Sequence, residues 1–472
     1  MDKYFNTYCN PIPLPDYPIG RCSIADKREY NWRETADPSV LYEDGKWYLY
    51  SSCGMVYWTE DFHTWQHMKM EPYDCGYAPS VVKHKGKYYL CGSLSDLFEA
   101  ESPTGPYHSI GYFVRPNGEK LVRCYDPMVF SDDDERLYLY YSMGTPMIWG
   151  CELDRDNPTQ LISEPEVMFR FNPDHIWERC GEYNEDGCIC SMEGPWMYKK
   201  NGVYYLIYCA PGTEYSTYGM GAYKGPSPLG PWEYMKTSPF TLKRDGVVRG
   251  PGHGSVVEGP GDTIWAFYTT TICYMDAMER RIGFDPIYIN DEGDLVCNAV
   301  TETPQWAPGV VADPAFNNDA GLVCVTGRRV PTASSCAPGR DAIYATDEDL
   351  LSFWQPADDD ENPTLTIPLC YYGVECSAVR IIWRDVGLSL QHGNLPGPIK
   401  YTLELCDTDK NTDWTTVVDR KDSEEDLIVD YRTFETIHAN CARLTIYGAP
   451  EGITPAVMNI SIFGQWNGKQ PE

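Results

Sequence analysis

The sequence predicts an all-β protein, a five-bladed β-propeller followed by a β-sandwich of the jelly-roll type. Three observations predict this fold class. The 40 glycines and 37 prolines indicate many turns, and the 36 tyrosines favour strands. A hairpin-like phrase recurs along the first 300 residues. Finally, a chain of 472 residues exceeds what one hydrophobic core usually supports, so a second domain is expected.

The recurring phrase predicts the blades. Each copy has an apolar alternating run, a turn containing Gly, Asp or Asn, and an aromatic run, which together indicate a hairpin. Copies start roughly 40 to 70 residues apart, which leaves room for two more strands and favours four-stranded blades over a β-sandwich or β-helix. The copies are ADPSVLYEDGKWYLYSS (36–52), YAPSVVKHKGKYYLCGS (77–93), YDPMVFSDDDERLYLYYS (125–142), MEGPWMYKKNGVYYLIYCA (192–210) and, more loosely, GHGSVVEGPGDTIWAFYTT (252–270).

The start of each copy predicts a shared site. The first strand of every propeller blade lines the central axis, so equivalent positions converge on one small space. Glu193 lies one place earlier than the simple alignment requires, because Glu-Gly-Pro replaces Asp-Pro in its copy. Three carboxylates and one histidine are therefore expected at one mouth of the propeller. The residues expected there are Asp37, Ala78, Asp126, Glu193 and His253.

Taken together, the three acids favour a catalytic role over a purely structural one. A single Asp before Pro is often a turn or capping residue, and that reading applies to Asp37 or Asp126 alone. Like charges grouped at an axis cost stability, so structure alone does not select them. Hydrolysis of a glycosidic bond needs one carboxylic acid and one carboxylate, and a third acid keeps the proton donor protonated.

The acidic motifs resemble those of a known family. ADPSV around Asp37, YDPMVF around Asp126 and MEGPWMYKKNGVYYL around Glu193 are similar to the three acidic motifs of glycoside hydrolase family 43, and the resemblance covers residues 25–300. It implies a five-bladed propeller that acts on pentose-containing polysaccharides. It also implies that Asp37 is the general base, Glu193 the general acid and Asp126 the residue that tunes and orients Glu193, with inversion at the anomeric carbon.

The same resemblance gives roles to two basic residues. His253 in GPGHGSVV matches an axial histidine that binds either a central calcium ion through water or a water cluster. A buried histidine satisfied by hydrogen bonds is the alternative, and the reaction itself requires no cofactor. Arg280 in ERRIGFDP matches an arginine that reaches the substrate pocket, with Arg281 as the alternative and a surface ion pair as the structural reading.

Tryptophans near the acidic motifs are candidates for a sugar platform, since aromatic faces stack on the C–H surfaces of sugars. Trp32 and Trp58 are the substrate-binding candidates, and Trp196 is a third aromatic near the site. With 14 tryptophans in the chain, most are expected in the core, including Trp149.

The net charge and the cysteine content limit which binding partners and which cellular compartment are expected. A net charge of −31 disfavours nucleic acid and anionic membranes and favours a neutral oligosaccharide substrate. The 19 cysteines show no framework spacing, and the first residues lack a secretory pattern, so we expect a cytoplasmic protein with reduced thiols. Cys188 and Cys190 are expected to be idle thiols rather than metal ligands. The sequence does not predict the oligomeric state.

The C-terminal third predicts a separate domain. We expect the propeller to span residues 1–300, a linker rich in Pro, Ala and Asn to span 301–330, and a β-sandwich to span 331–472. ASSCAPGRDAIYATDEDLLSFWQP followed by TLTIPL is similar to the opening of discoidin-type, galactose-binding-like domains, over residues 331–465. The resemblance implies a structural or weak carbohydrate-binding role.

Together these features predict an inverting exo-glycosidase that releases terminal α-L-arabinofuranosyl or β-xylosyl residues from oligosaccharides derived from xylan or arabinoxylan. A β-galactosidase or galactofuranosidase of the same fold is one alternative, and a non-catalytic glycan-binding protein is another. The fructan-cleaving propellers differ in their motifs, since Ala36, Tyr125 and Gly194 replace the Asn, Arg and Cys expected there.

Overall fold

The computed structural model describes residues 2–20, 31–72, 75–187, 191–407 and 413–466. These ranges are dominated by strands, and no helix in them is long and apolar enough to cross a membrane. Cys188 and Cys190 lie outside the described residues. The first strand of the described residues is the short β1 (Thr7–Tyr8), and five consecutive four-stranded sheets follow it.

Each of these five sheets, called blades below, takes four strands that are consecutive in the chain and paired in chain order, all antiparallel. The alternation of tight turns and aromatic strands predicted from the five copies gives the first two strands of each blade. The strands are β2 (Ser39–Glu43), β3 (Lys46–Ser51), β4 (Met55–Thr59) and β5 (Gln66–Lys69); β6 (Tyr77–His84), β7 (Lys87–Ser93), β8 (Leu97–Ala100) and β9 (His108–Gly111); β10 (Tyr125–Ser131), β11 (Leu137–Ser142), β12 (Met147–Leu153) and β13 (Glu166–Arg170); β14 (Glu193–Lys200), β15 (Val203–Ala210), β16 (Gly219–Gly225) and β17 (Glu233–Tyr234); β18 (Gly252–Glu258), β19 (Ile264–Thr271), β20 (Arg280–Ile289) and β21 (Leu295–Val296).

The first strands of the five blades form a closed ring. Strands β2, β6, β10, β14 and β18 each pack against the next, and β18 packs against β2. This cyclic order is consistent with the predicted five-bladed propeller, in which the first strands surround the axis. The 3₁₀ turns Ile176–Glu178 and Pro260–Asp262 lie in connections between strands.

The segment predicted as a linker contains three short regular elements. It holds β22 (Gln305–Trp306), which pairs with β1, the helical turn α1 (Pro314–Asn317), and β23 (Val323–Cys324), which joins a sheet of the C-terminal region. The N-terminal segment also reaches the C-terminal region, where the hydroxyls of Thr7 and Tyr431 lie 2.7 Å apart. Residues 301–330 therefore tie the two regions together.

The C-terminal region contains two antiparallel sheets, which is consistent with the predicted sandwich, and this region is called the sandwich below. One sheet has the order β23-β31-β26-β29 and the other β24-β25-β30-β27-β28, with a 3₁₀ turn at Ala342–Ala345. A single hydrophobic cluster runs from the propeller into this sandwich, because buried side chains of the two regions contact each other. The remaining strands are β24 (Thr332–Ala333), β25 (Thr364–Pro368), β26 (Val374–Val386), β27 (Lys400–Cys406), β28 (Thr415–Asp419), β29 (Val429–Ala439), β30 (Cys441–Gly448) and β31 (Thr454–Gln465).

Candidate active site

One unusual backbone position recurs where each blade begins at the axis. Left-handed φ is uncommon outside glycine, so its use at four non-glycine residues marks strained positions. In four of the blades a register shift between the first two strands accompanies it. In the fourth blade a glycine, Gly194, takes this position directly after Glu193, which agrees with the one-residue offset inferred from the sequence. The residues and their φ angles are Asp37 (52°), Ala78 (50°), Asp126 (48°), Gly194 (57°) and His253 (38°).

Asp37 is a buried carboxylate held by several partners. Both of its oxygens accept hydrogen bonds from the guanidinium of Arg280, with Nη1 2.9 Å from Oδ1 and Nη2 3.1 Å from Oδ2. The Ser52 hydroxyl donates to Oδ2 at 2.5 Å, and His253 Nδ1 lies 3.3 Å from Oδ1. Burial alone raises the pKa of Asp37, but Arg280, His253 and Ser52 together hold that pKa below its ordinary value.

A second carboxylate, Glu34, shares the same arginine and was missed by the sequence analysis. Arg280 Nη2 lies 2.7 Å from Glu34 Oε1, and the Tyr77 hydroxyl donates to that same oxygen. Glu34 is fully buried, and this burial raises its pKa despite the opposing charge of Arg280. No local pattern in the sequence reveals the pair, since 246 residues separate Glu34 from Arg280.

Glu193 has the opposite electrostatic setting from Asp37. Burial, followed by the negative charge of Asp126, raises its pKa, although the nearby His253 and hydrogen bonds from Tyr218 and Ser191 oppose the shift. The Tyr218 hydroxyl donates to Oε1 at 2.7 Å and the Ser191 hydroxyl to Oε2 at 2.9 Å. These two donors fix the carboxyl group. Tyr218 is a further site residue that the sequence analysis missed.

Asp126 is oriented from both sides. The Ser93 hydroxyl donates to its Oδ1 at 3.1 Å, and the backbone N–H of Gly194 donates to Oδ2 at 3.2 Å. Because Gly194 follows Glu193 in the chain, Asp126 is tied to the backbone of the residue whose pKa it raises.

Among the described residues, the cluster of potential metal ligands beside the axis combines a carboxylate, a thiol and an imidazole. A cavity of about 20 Å³ lies among the first strands and is lined by Asp37, Asp126 and His253, among others, and this is room for a single water molecule. Ligand atoms of Glu193, Cys209 and His253 lie within 4.8 Å of one another. Calcium takes six to eight oxygens, whereas a thiol, an imidazole and a carboxylate suit zinc. A directly bound calcium ion therefore does not fit this set.

The adjacent arginine of the ERR motif has a different environment. Arg281 Nη1 donates to the backbone carbonyls of Arg33 and Arg280, at 2.6 and 2.8 Å, and its guanidinium packs over the Tyr17 ring. Of the two arginines considered from the sequence, the structure places Arg280 beside the carboxylates.

The candidate tryptophans lie in three different environments. Trp32 is 4% exposed and lines a small cavity between the propeller and the sandwich, so it offers little ring surface to a sugar. Trp58 and Trp149 are partly buried and pack against hydrophobic clusters of the first blades. Trp196 lines the axial cavity, and its indole N–H donates to the Val256 carbonyl at 2.9 Å.

Known proteins match the part of this chain that holds the candidate active site. The family model for glycosyl hydrolases family 43 matches residues 33–295. A β-D-galactofuranosidase from Aspergillus niger is 27% identical over 216 residues, which cover 44% of this chain and 57% of that protein. A β-xylosidase from Xylanibacter ruminicola is 26% identical over 286 residues, 53% of this chain and 80% of that protein. An arabinoxylan arabinofuranohydrolase from Bacillus subtilis is 26% identical over 288 residues, 52% of each.

Solved structures agree with the fold. One described as a glycoside hydrolase superposes with a TM-score of 0.50 at 19% identity, covering 92% of this chain and 98% of its own. A thermostable family-43 glycoside hydrolase also has a TM-score of 0.50, at 23% identity, covering 64% of this chain and 99% of its own. The chain spans only 52–57% of two of the three curated relatives.

Proposed function

This chain belongs to glycosyl hydrolases family 43, and from that premise we propose that it is an inverting exo-glycosidase that releases terminal pentosyl residues from short neutral oligosaccharides. The proposal rests on two carboxyl groups at the same end of the propeller axis whose pKa values are shifted in opposite directions. Asp37 has a lowered pKa and Glu193 a raised one, which is the division of labour that hydrolysis of a glycosidic bond needs.

Asp37 is the proposed general base. Its carboxylate stays charged because Arg280 contacts both oxygens, so it is able to accept a proton from water while that water attacks the anomeric carbon. Single displacement by water gives a product of inverted configuration. Arg280 also contacts Glu34, and this shared partner fixes the orientation of Asp37.

Glu193 is the proposed general acid. Burial and the charge of Asp126 raise its pKa, which favours the protonated form that donates a proton to the oxygen of the leaving group. Asp126 is the proposed tuning residue, since its charge raises the pKa of Glu193 and its Oδ2 accepts from the Gly194 N–H. After one turnover Asp37 holds a proton and Glu193 has lost one, and exchange with water restores both.

The substrate class rests on the relatives and on charge. Two relatives are named for xylosidase and arabinofuranohydrolase activity, which supports a terminal xylose or arabinofuranose. The net charge of −31 favours neutral sugars. The Aspergillus niger relative is a β-D-galactofuranosidase, and this favours a galactofuranosidase as the second candidate.

The test is release of 4-nitrophenol from the α-L-arabinofuranoside, β-D-xyloside and β-D-galactofuranoside. Wild type, Glu193→Ala and Glu233→Ala are compared, because Glu233 is an exposed glutamate of the same blade. We expect wild type and Glu233→Ala to hydrolyse one substrate equally and Glu193→Ala to lose that activity. NMR of the first-formed sugar then reports its anomeric configuration. Retention, or no turnover of these glycosides or of xylan-derived oligosaccharides, would overturn the proposal.

A further inference from the structure

Two consecutive residues near the end of β26 in the sandwich form ion pairs with the propeller. Arg384 Nη1 lies 3.1 Å from Glu279 Oε1, and Asp385 Oδ2 lies 2.8 Å from Arg33 Nη1. Glu279 directly precedes Arg280 in the chain, and Arg33 directly precedes Glu34. The sandwich therefore holds the two chain segments that bring Arg280 and Glu34 to Asp37.

These ion pairs are buried and well partnered. The side chains of Arg33 and Asp385 are 2% and 3% exposed, and those of Arg384 and Glu279 are 9% and 4% exposed. Arg33 also donates to Asp426 Oδ2 at 2.6 Å. Buried ion pairs contribute little net stability, because desolvation offsets the attraction, but they specify geometry when every partner is present.

The loop that leads to Arg280 is held at a second point. Tyr274 lies under Arg384, whose Cζ is 4.1 Å from the ring centroid, and its hydroxyl accepts from Arg340 Nη2 at 2.9 Å. Phe353 packs edge-on against the same ring at 5.4 Å. Arg384 thus contacts both the beginning and the end of loop 272–279, which connects β19 to β20.

We propose that Arg384 and Asp385 are positioning residues for the active site, through which the sandwich sets the placement of the Arg280–Glu34 pair and hence of the Asp37 carboxylate. The pairs act on both segments at once, since Glu279 moves with Arg280 and Arg33 moves with Glu34. The inference rests on the function proposed above for Asp37. It gives the C-terminal region a role in the reaction without contact between the sandwich and a sugar.

The proposal predicts a change in the pH profile. Displacement of Arg280 weakens the attraction that offsets burial at Asp37, so the acid limb of kcat/KM moves to higher pH. A change of overall stability alone leaves that limb in place. The charged and titratable groups that act on Asp37 or are acted on by it are Arg280, His253, Glu34, Tyr77 and Tyr218.

The variants are Arg384→Gln and Asp385→Asn, with Arg443→Gln as the matched control. Arg443 is also a sandwich arginine with an ion pair and an aromatic partner, but those partners, Glu404 and Trp414, belong to the sandwich. Each full-length variant is assayed well below its Tm. Hydrogen exchange of peptides spanning 31–37 and 272–281 is measured in parallel, because exchange reports the contacts whether or not a glycoside is hydrolysed.

We expect kcat/KM to fall roughly ten- to a hundredfold in Arg384→Gln and Asp385→Asn, as misplacement of a site by about 1 Å does, with the acid limb shifted upward. Exchange should rise in both peptides in these variants, and Arg443→Gln should match wild type in every readout. Arg384→Lys should recover part of the loss because it keeps the charge. Glu279→Gln combined with Arg384→Gln should cost less than the sum of the two.

Three outcomes overturn the inference: unchanged exchange in both peptides, raised exchange with an unmoved acid limb, or equal effects in Arg443→Gln. If wild type hydrolyses no glycoside, the proposed function fails separately. The positioning contacts are then judged by the exchange data, and unchanged exchange refutes them.

Discussion

The clamp of Arg280 on two buried carboxylates makes replacement by methionine the most informative perturbation. Methionine keeps part of the apolar stem of the arginine but removes the guanidinium from Asp37 and Glu34. Both carboxylates are then buried without their shared counter-charge. Burial, which already outweighs Arg280 at Glu34, will then dominate at Asp37 as well, and both pKa values will rise.

The size of the effect follows from the burial of the pair, since Arg280 and Asp37 are both 3% exposed. Removing one partner of a buried ion pair costs about 3–5 kcal/mol. At about 2–4 °C per kcal/mol for a large domain, this predicts a fall in Tm of about 6–20 °C near pH 8. For activity, every unit by which the pKa of Asp37 exceeds the assay pH removes about nine-tenths of the remaining carboxylate.

The sign of the pH dependence is also fixed. In wild type the depressed pKa of Asp37 adds stability above its unfolded-state value, and this stability is lost as pH falls through the folded pKa. In Arg280→Met the pKa is raised, so protonation relieves the penalty as pH falls. The difference in Tm between wild type and variant should therefore be larger at pH 8 than at pH 5.

Calorimetry at both pH values, with kcat/KM measured across the same range, tests this reasoning. Arg281→Met is the control, because Arg281 is buried beside Arg280 but donates its hydrogen bonds to backbone carbonyls rather than to Asp37 or Glu34, so its loss of Tm should depend less on pH than that of Arg280→Met. If Arg280→Met shows the same loss of Tm at pH 5 and pH 8, or an unchanged acid limb, then Arg280 is not what keeps Asp37 charged.

Three further perturbations address the acid side of the site. Asp126→Asn removes the charge that raises the pKa of Glu193, so the alkaline limb of kcat/KM should move to lower pH; a limb at its wild-type position contradicts the tuning role. Tyr218→Phe removes a hydrogen bond that lowers the same pKa, so the alkaline limb should move to higher pH, and a shift in the opposite direction refutes the assignment. Zn²⁺ should inhibit more strongly than Ca²⁺ because Glu193, Cys209 and His253 converge. Cys209→Ala should raise the Zn²⁺ concentration needed for half-inhibition, and equal sensitivity in the variant would exclude the thiol as a ligand.

Much of the architecture could be predicted because it repeats. Each blade carries its own alternation and turn signals, so local patterns suffice to find the hairpins and to align Asp37, Asp126 and His253. In the fourth copy Glu193 directly precedes the left-handed residue of its blade, which is the one-residue offset that the Glu-Gly-Pro motif predicts. Five copies of one local rule are easier to detect than a single long-range contact.

The parts that sequence reasoning missed are those made by distant segments. Glu34 lies three residues before Asp37, yet its importance depends on Arg280 in the last blade. Tyr218 reaches Glu193 from a different strand of the fourth blade. Trp32 was expected at the sugar site because it is close to Asp37 in the chain, but the packing of the sandwich places it in the cavity between the two regions. Closeness in sequence does not determine the direction of a side chain.

The position of the proposed acid follows from crowding at the axis. If Gly194 carried a Cβ, that atom would lie 2.7 Å from both Cys209 Sγ and His253 Cδ2, closer than real Cβ contacts allow. An acidic side chain at the position in the fourth blade that corresponds to Asp37 and Asp126 would therefore displace Cys209 or His253. Placing the carboxylate one residue earlier avoids the clash and puts it under Tyr218 and Ser191. The same step leaves the Gly194 N–H for Asp126, so a single glycine both displaces the acid and links it to its tuning residue.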